Sequence, residues 1–352
     1  MFFLREIEKK SFFFKKKLAF SDMKDYITRR LLFLEISNDG CMVEKKILQD
    51  NYQDMLELME EAPSEWAKSC VHLEDTIHQL SPYIGKLKSS IAKQLIAHYS
   101  KKNEIIIDPF SGSGTVPYQA ILMGRQTFAS DISIYAKILS KAKLSAPATE
   151  EEALDKAKSL IEDSSHIPCP DIATIPDWVK QFFHPKTLEE IIRFSEIARK
   201  NGNEFYFANF LGILHHQRPG FLSYPASHLT PYLRDRKYPV SLYPEMYEYR
   251  DLSSRLLAKI HRSYKRHIHN EGIWKFRQSS IENITFPKIF DAVITSPPYM
   301  NTLDYGRDNR LRLWFANPNY RRPLDADLTR NVYSFENAMK IFAPVKNIFV
   351  VV

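Results

Sequence analysis

The chain has 352 residues, 44% of them hydrophobic and 26% charged, an ordinary globular composition that excludes a disordered or collagen-like chain. Net charge is +7 with a pI near 9.0, a weak pointer to an anionic partner. No run approaches the ~18 uncharged apolar residues that a membrane span needs, and at about 150 residues per domain the length fits two domains or one with a large insertion.

The opening stretch is apolar and basic, but Arg5, Glu6, Glu8, Lys9 and Lys10 interrupt it, so it does not read as a signal peptide. Residues 1–75 read as a helical N-terminal extension of mixed charge. A helix is expected from Ser89 to Tyr99. Ile105 to Ile107 is a β-branched run read as a buried strand, and Asp108 to Gly114 as a turn. Thr115 to Met123 has helical spacing with Gly124 as its C-cap, and Thr127 to Ala129 is the next strand, ending at Asp131.

Only ten residues are glycine, and Gly112, Gly114 and Gly124 fall within thirteen positions of this unit. Glycines let a backbone approach a ligand closely, and a helix N-terminus offers free N–H groups. A carboxylate at the tip of the second strand can accept from ribose hydroxyls. The alternative is a tight turn of any α/β protein; Asp108 before the turn and Asp131 after it favour a nucleotide-type site.

Further along, Ala146 to Ser165 reads as an acidic helix, Ile167 to Pro176 as a connector, Trp178 to Lys200 as helical and Phe205 to Leu214 as a buried apolar segment. Residues 217–245 are rich in Pro and Tyr and read as a long irregular loop; Tyr249 to His269 reads as a basic helix. The window 215–280 holds twelve Lys/Arg against five Asp/Glu, numerically the whole chain's net charge, with six of the eleven His and seven of the eighteen Tyr. Basic residues interleaved with aromatics suit backbone neutralisation and base stacking; a solvated face is the competing reading. The adjacent His215 and His216 lack zinc-ligand spacing, and no metal is expected. Cys41, Cys70 and Cys169 are odd in number and far apart, which fits a reducing cytoplasm.

Phe290 to Thr295 is a second buried strand, running directly into Ser296, Pro297, Pro298 and Tyr299. Two prolines stop a strand and hold a stiff loop at the sheet edge. Ser Oγ and a proline carbonyl can accept from an exocyclic amine while the Tyr ring stacks on a flat base. A helix at 334–342 and a strand at Ile348 to Val352 close the series; another strand is considered within 275–285.

DPFSGSGT (108–115) and TSPPY (295–299) together resemble the S-adenosylmethionine-dependent DNA amino-methyltransferases, and the SPPY form resembles the N4-cytosine type. PYIGKLKSSIAKQLI (82–96) is similar to the segment that covers the cofactor's methionine end in that family. WVKQFFHPKTLEEI (178–191) and RPGFLSYPASHLTPY (218–232) resemble its linking segments more loosely. The resemblance spans 80–352. It implies a Rossmann-like α/β methyltransferase fold with S-adenosylmethionine as cofactor, held by Tyr83, Lys86, Asp108, Pro109, Phe110, Gly112, Gly114, Thr115 and Asp131. It implies catalysis by Ser296, Pro297, Pro298 and Tyr299 on a base flipped from double-stranded DNA.

By that motif order, 1–75 is the helical extension and 76–145 the cofactor-binding half. Residues 146–280 form an inserted target-recognition region, and 281–352 are the catalytic half. Arg218, Tyr224, His228, Arg234, Arg236 and Lys237 are the expected DNA contacts. The expected activity is methylation of a DNA exocyclic amine, N4 of cytosine before N6 of adenine. An RNA amino-methyltransferase and an inactive remnant that only binds cofactor or DNA are the alternatives.

Two features depart from the family pattern. The acid that often precedes the catalytic strand has only Ser279, Ser280 and Glu282 as candidates. The fold has about seven strands, and five are counted here, so an open hydrophobic edge is expected at the C-terminus, with a truncated or split enzyme as the reading. Expected partners are double-stranded DNA and a cognate restriction endonuclease of a restriction-modification system, or a second chain completing the sheet, with no membrane.

Overall fold

The computed structural model describes residues 74–168, 171–216, 220–224, 238–269, 271–284, 290–296, 305–317 and 348–351. The extension up to residue 73, most of the loop at 217–245 and the helix expected at 334–342 lie outside the described residues.

A 3₁₀ turn at Thr76–Gln79 leads to helix α1 (Ser89–Tyr99), strand β1 (Ile105–Asp108), α2 (Thr115–Leu122), β2 (Gln126–Asp131) and α3 (Ile134–Leu144). A helical run follows: α4 (Glu150–Ser165), α5 (Asp177–Lys180), α6 (Pro185–Ala198), α7 (Glu204–Ile213) and α8 (Leu252–Tyr264). The chain returns to the sheet with β3 (Trp274–Gln278) and β4 (Ala292–Thr295), then α9 (Tyr305–Asp308), α10 (Arg310–Ala316) and β5 (Ile348–Val351).

The five strands form one parallel sheet in the order β3-β2-β1-β4-β5. From β1 the chain builds outward through β2 to β3, then crosses back to place β4 on the other side of β1. The strand order therefore reverses between β1 and β4. In open α/β sheets the crevice outside the carboxyl ends of the strands at such a reversal is where ligands bind. This is a Rossmann-like arrangement.

Side-chain alternation sets the two faces. Ile106, Ala292 and Ile294 are fully buried against Ile91, Leu95 and Ile96 of α1 and Val116 and Ala120 of α2. The intervening Ile107 and Val293 turn to the opposite face with Phe128, Ile281 and Phe290. A larger apolar cluster joins α3, α4, α6, α7, α8 and α10, and every residue of α7 is buried. A largely apolar helix buried on every side lies in a core, not at a surface.

Local chemistry sets the ends, and several differ from the expected bounds. The acidic helix starts at Glu150, because the Thr149 side chain accepts from Glu152 N–H and three glutamates follow in the first turn. The expected helix Trp178 to Lys200 is two, because Pro185 begins α6 as its first residue and cannot continue α5. The basic helix is Leu252–Tyr264, capped by Asp251 accepting from Ser254 N–H, and 265–269 is not helical. The strand considered within 275–285 is Trp274–Gln278, paired with β2. It lies inside the 146–280 span and belongs to the sheet. Helices α3 and α10 were not anticipated.

A buried polar cluster pins the first described residues to the body. Asp75 Oδ1 accepts from Ile77 N–H (2.8 Å), and Oδ2 from Ile268 N–H (2.9 Å), Tyr118 O–H (2.9 Å) and His267 Nδ1 (3.2 Å). Burial alone would raise the Asp75 pKa, but the bonds from His267, Ile268 and Ile77 outweigh it and hold the carboxyl below its usual range. Lys143, 3% exposed at the end of α3, has no hydrogen-bond partner for Nζ. Burial, then the charge of Lys86, lowers its pKa well below the usual lysine range.

Candidate active site

The carboxyl ends of β1, β2 and β4 converge on the glycine turn. Asp108 closes β1 and is 2% exposed; Asp131 closes β2; Thr295 closes β4 and is fully buried. After Asp108 the chain turns through Gly112 (φ +49°) and Gly114 (φ +74°) into α2. Both glycines are held from outside as well. A Cβ on Gly112 would stand 3.2 Å from the Tyr83 ring, and one on Gly114 only 2.7 Å from Ser140 Cα in α3. The turn is cradled between those two elements.

Hydrogen bonds fasten it. Asp131 Oδ2 accepts from Gly112 N–H (2.9 Å) and Oδ1 from Ser133 N–H (2.9 Å). Ser111 N–H donates to Ser130 O, and Ser130 Oγ donates to Pro109 O. Ser140 Oγ reaches Ser111 Oγ and Gly112 O, while Thr115 Oγ1 meets Ser113 Oγ at 3.1 Å. Phe110 packs on the Ile107 and Phe128 face.

Both acids are perturbed. Burial pushes the Asp108 carboxyl up to about 7, the hydrogen bonds from Thr295 and Phe110 N–H oppose it, and the Asp131 charge adds to it. Burial raises Asp131 to about 6 against the N–H groups of Ser133, Gly112 and Ile132. The two carboxyls, at the ends of β1 and β2, are both displaced toward neutrality, mainly by burial.

Three tyrosines cluster beside the glycine turn. The half-buried Tyr83 stacks on Tyr135 (5.8 Å between centroids), and Tyr305 of α9 lies 6.0 Å from Tyr83, tilted 38°. Tyr135 is fixed by donating to Pro82 O and meeting Ser81 Oγ, each at 2.6 Å. Tyr135 and Tyr305 were not singled out in the sequence; the Asp-Tyr pair just after the proline loop was the available signal for Tyr305.

The structure thus gathers Tyr83, Asp108, Pro109, Phe110, Gly112, Gly114, Thr115 and Asp131 around one turn. Lys86 faces another way, donating through Nζ to His78 O at 2.9 Å. Ser296 follows β4 directly and is half-buried. Pro297, Pro298 and Tyr299 lie outside the described residues, as do Arg218, His228, Arg234, Arg236 and Lys237. Tyr224 is 8% exposed, with its ring 5.0 Å from that of Tyr247 and its N–H on Phe182 O. His215 bonds Ser223 Oγ at 2.7 Å and packs on Phe182, and His216 stacks on Phe221. No metal-ligand group of three or more His, Cys, Asp or Glu occurs among the described residues. No helix among them is long and apolar enough to cross a membrane.

Residues 44–142, which include the whole glycine turn, match the family model described as DNA methylase. The chain is similar to the type II methyltransferase M.MvaI of Kocuria varians, 25% identical over 269 residues that cover 68% of this chain and 57% of that protein. It is also similar to the type II methyltransferase M.MjaII of Methanocaldococcus jannaschii, 30% identical over 87 residues covering 25% of this chain and 16% of that one. The chain therefore spans well under two thirds of either relative. No solved structure gives a significant match. The parallel sheet with its reversal at the glycine turn and these similarities agree on a Rossmann-like arrangement, and over residues 44–142 the chain is similar to the DNA methylase family.

Proposed function

We propose that this chain methylates an exocyclic amine of a base flipped out of double-stranded DNA, with N4 of cytosine as the target. The observation that supports it most is the meeting of three strand ends, with the glycine turn and Asp131 on one side of the order reversal and Ser296 on the other. S-adenosylmethionine fits the residues present: a turn whose glycine Cβ positions are closed by neighbours, a carboxylate beside it and a tyrosine cluster. When bound, it supplies a sulfonium methyl group.

The chain's own residues then have separate tasks. Asp131 accepts from ribose hydroxyls, a role for which its ionised form is needed. Tyr83 and the Gly112 and Gly114 backbone shape the pocket, with Asp108, Pro109, Phe110 and Thr115 holding the turn's form. Ser296 Oγ and the Pro297 carbonyl accept hydrogens of the exocyclic amine. That draws the nitrogen away from conjugation with the ring and frees its lone pair for in-line attack. Pro298 stiffens the loop, and Tyr299 stacks on the base, which must leave the helix to arrive there. Arg218, His228, Arg234, Arg236 and Lys237 supply phosphate contacts within a 146–280 recognition region, between a 76–145 cofactor half and a 281–352 catalytic half. The relatives named above are type II methyltransferases, and we extend to this chain a restriction endonuclease as its counterpart.

The test is transfer of labelled methyl from S-adenosylmethionine to unmethylated duplex DNA, with tRNA in parallel. Wild type should label DNA. Ser296→Ala should not, while its affinity for S-adenosylhomocysteine stays within threefold of wild type. Labelling of tRNA alone would select the RNA reading. Cofactor binding without transfer to either would select a binding-only protein.

A further inference from the structure

The two strands that flank the reversal are also joined by their side chains. Thr295 Oγ1 donates to Asp108 Oδ1 at 2.7 Å, with Thr295 fully buried and Asp108 2% exposed. The same oxygen accepts from Phe110 N–H at 3.3 Å, inside the glycine turn. The backbone pairing of β1 with β4 runs through Ile106 with Ala292 and Ile107 with Val293. Beyond that pairing, the Asp108 carboxyl links the last residue of β4 to the first peptides of the turn.

The sheet already holds these strands, so the bond is not required for their pairing. A buried carboxyl is a costly way to add cohesion when an apolar pair of similar volume would serve. What the bond adds is direction. It couples the residue next to Ser296 to the peptide that opens the cofactor turn.

We propose that Thr295 is a positioning residue, fixing through Asp108 the offset between the glycine turn and the Ser296 loop on which methyl transfer depends. This rests on the function proposed above. In-line transfer tolerates little misplacement, and about 1 Å can cost about a hundredfold in rate. Valine has threonine's shape without the donor; serine keeps the donor and loses the methyl.

The experiment uses the full chain and compares Thr295→Val and Thr295→Ser with wild type. It reads kcat, the KM for DNA and the Kd for S-adenosylhomocysteine. The expected result for T295V is a kcat lower by about 10- to 100-fold, with cofactor affinity changed by less than about threefold. T295S should keep kcat within about threefold of wild type. A T295V kcat within threefold of wild type, or a T295S loss as deep as that of T295V, overturns the proposal. If T295V does not fold, Thr295→Cys, a weaker donor, takes its place under the same limits.

Should wild type transfer no methyl to DNA, the proposed function fails and the pH profile of melting decides for Thr295. The groups facing the Asp108 carboxyl are Thr295, Phe110 N–H and the Asp131 carboxylate. Its folded-state pKa, pushed up to about 7, exceeds that of the unfolded chain. Its contribution to stability therefore falls as pH rises from about 4 to about 7 and is level above that. Loss of the donor extends the falling part to higher pH. An unmoved profile overturns the tie itself.

Discussion

Gly114→Ala tests the packing of the cofactor turn. Gly114 has φ +74°, and an L-residue there pays about 1–2 kcal/mol. The added Cβ would also stand 2.7 Å from Ser140 Cα and 2.8 Å from Ser140 Oγ. The first neighbour is backbone of α3 and cannot rotate away, so the helix must shift, an overpacking cost of about 1–3 kcal/mol. Together the substitution should lower stability by about 2–5 kcal/mol. Gly202→Ala is the control, because Gly202 has φ +90° with nothing within 4 Å of its added Cβ. It should lose only the backbone part, about 1–2 kcal/mol. Urea unfolding followed by tryptophan fluorescence measures both. If G114A is no less stable than G202A, the close approach of turn and helix α3 is refuted.

Three further substitutions probe other buried groups. Asp75→Asn leaves one acceptor oxygen for four donors and should cost about 3 kcal/mol or more by urea unfolding; because the wild-type carboxyl sits below its usual range, its contribution is present above about pH 4 and lost in acid, and the variant should lack that acid-sensitive part. Lys143→Met removes an unpaired buried amine and should gain about 1–3 kcal/mol. The wild-type amine binds fewer protons folded than unfolded, so wild-type stability should rise with pH up to about 10, and the variant's profile should be flatter in melting scans. Asp131→Ala should weaken S-adenosylhomocysteine binding about 10- to 100-fold by calorimetry. With the wild-type carboxyl at about 6, wild-type affinity should also decline as pH falls below about 6.

The strand-turn-helix-strand unit was readable because its signals are local: a run of three isoleucines, two glycines in a tight turn and an acid at each strand tip. The reading gives Asp131 to ribose hydroxyls; that the same carboxylate also accepts from Gly112 N–H across the turn is visible only in the structure. The Asp108 and Thr295 bond joins residues 187 positions apart, and nothing local in either segment announces it. Helix α3 went unread because Lys137, Lys141 and Lys143 break its apolar pattern, yet Lys143 is buried. Helix α10 hid in the same way: Arg312, 8% exposed, donates to Leu211 O and His215 O inside the helical layer. Phe205 to Leu214 reads as a buried apolar segment with no assigned form, since apolar residues on every side of it leave little periodicity to read.

The same effect qualifies the charge count over 215–280. Arg250 donates to Phe221 O and Lys259 to Gln79 O, so part of that positive charge binds the protein's own carbonyls. A sum over sequence cannot separate such cations from those facing solvent.

The central claim is tested most directly by nucleoside mass spectrometry of duplex DNA incubated with the full chain and S-adenosylmethionine. The account predicts N4-methylcytosine as the product, absent with Ser296→Ala. N6-methyladenine would keep the chemistry and correct the base. A methyl group on a ring carbon, or an undiminished product from the Ser296→Ala variant, would contradict the assignment of this site.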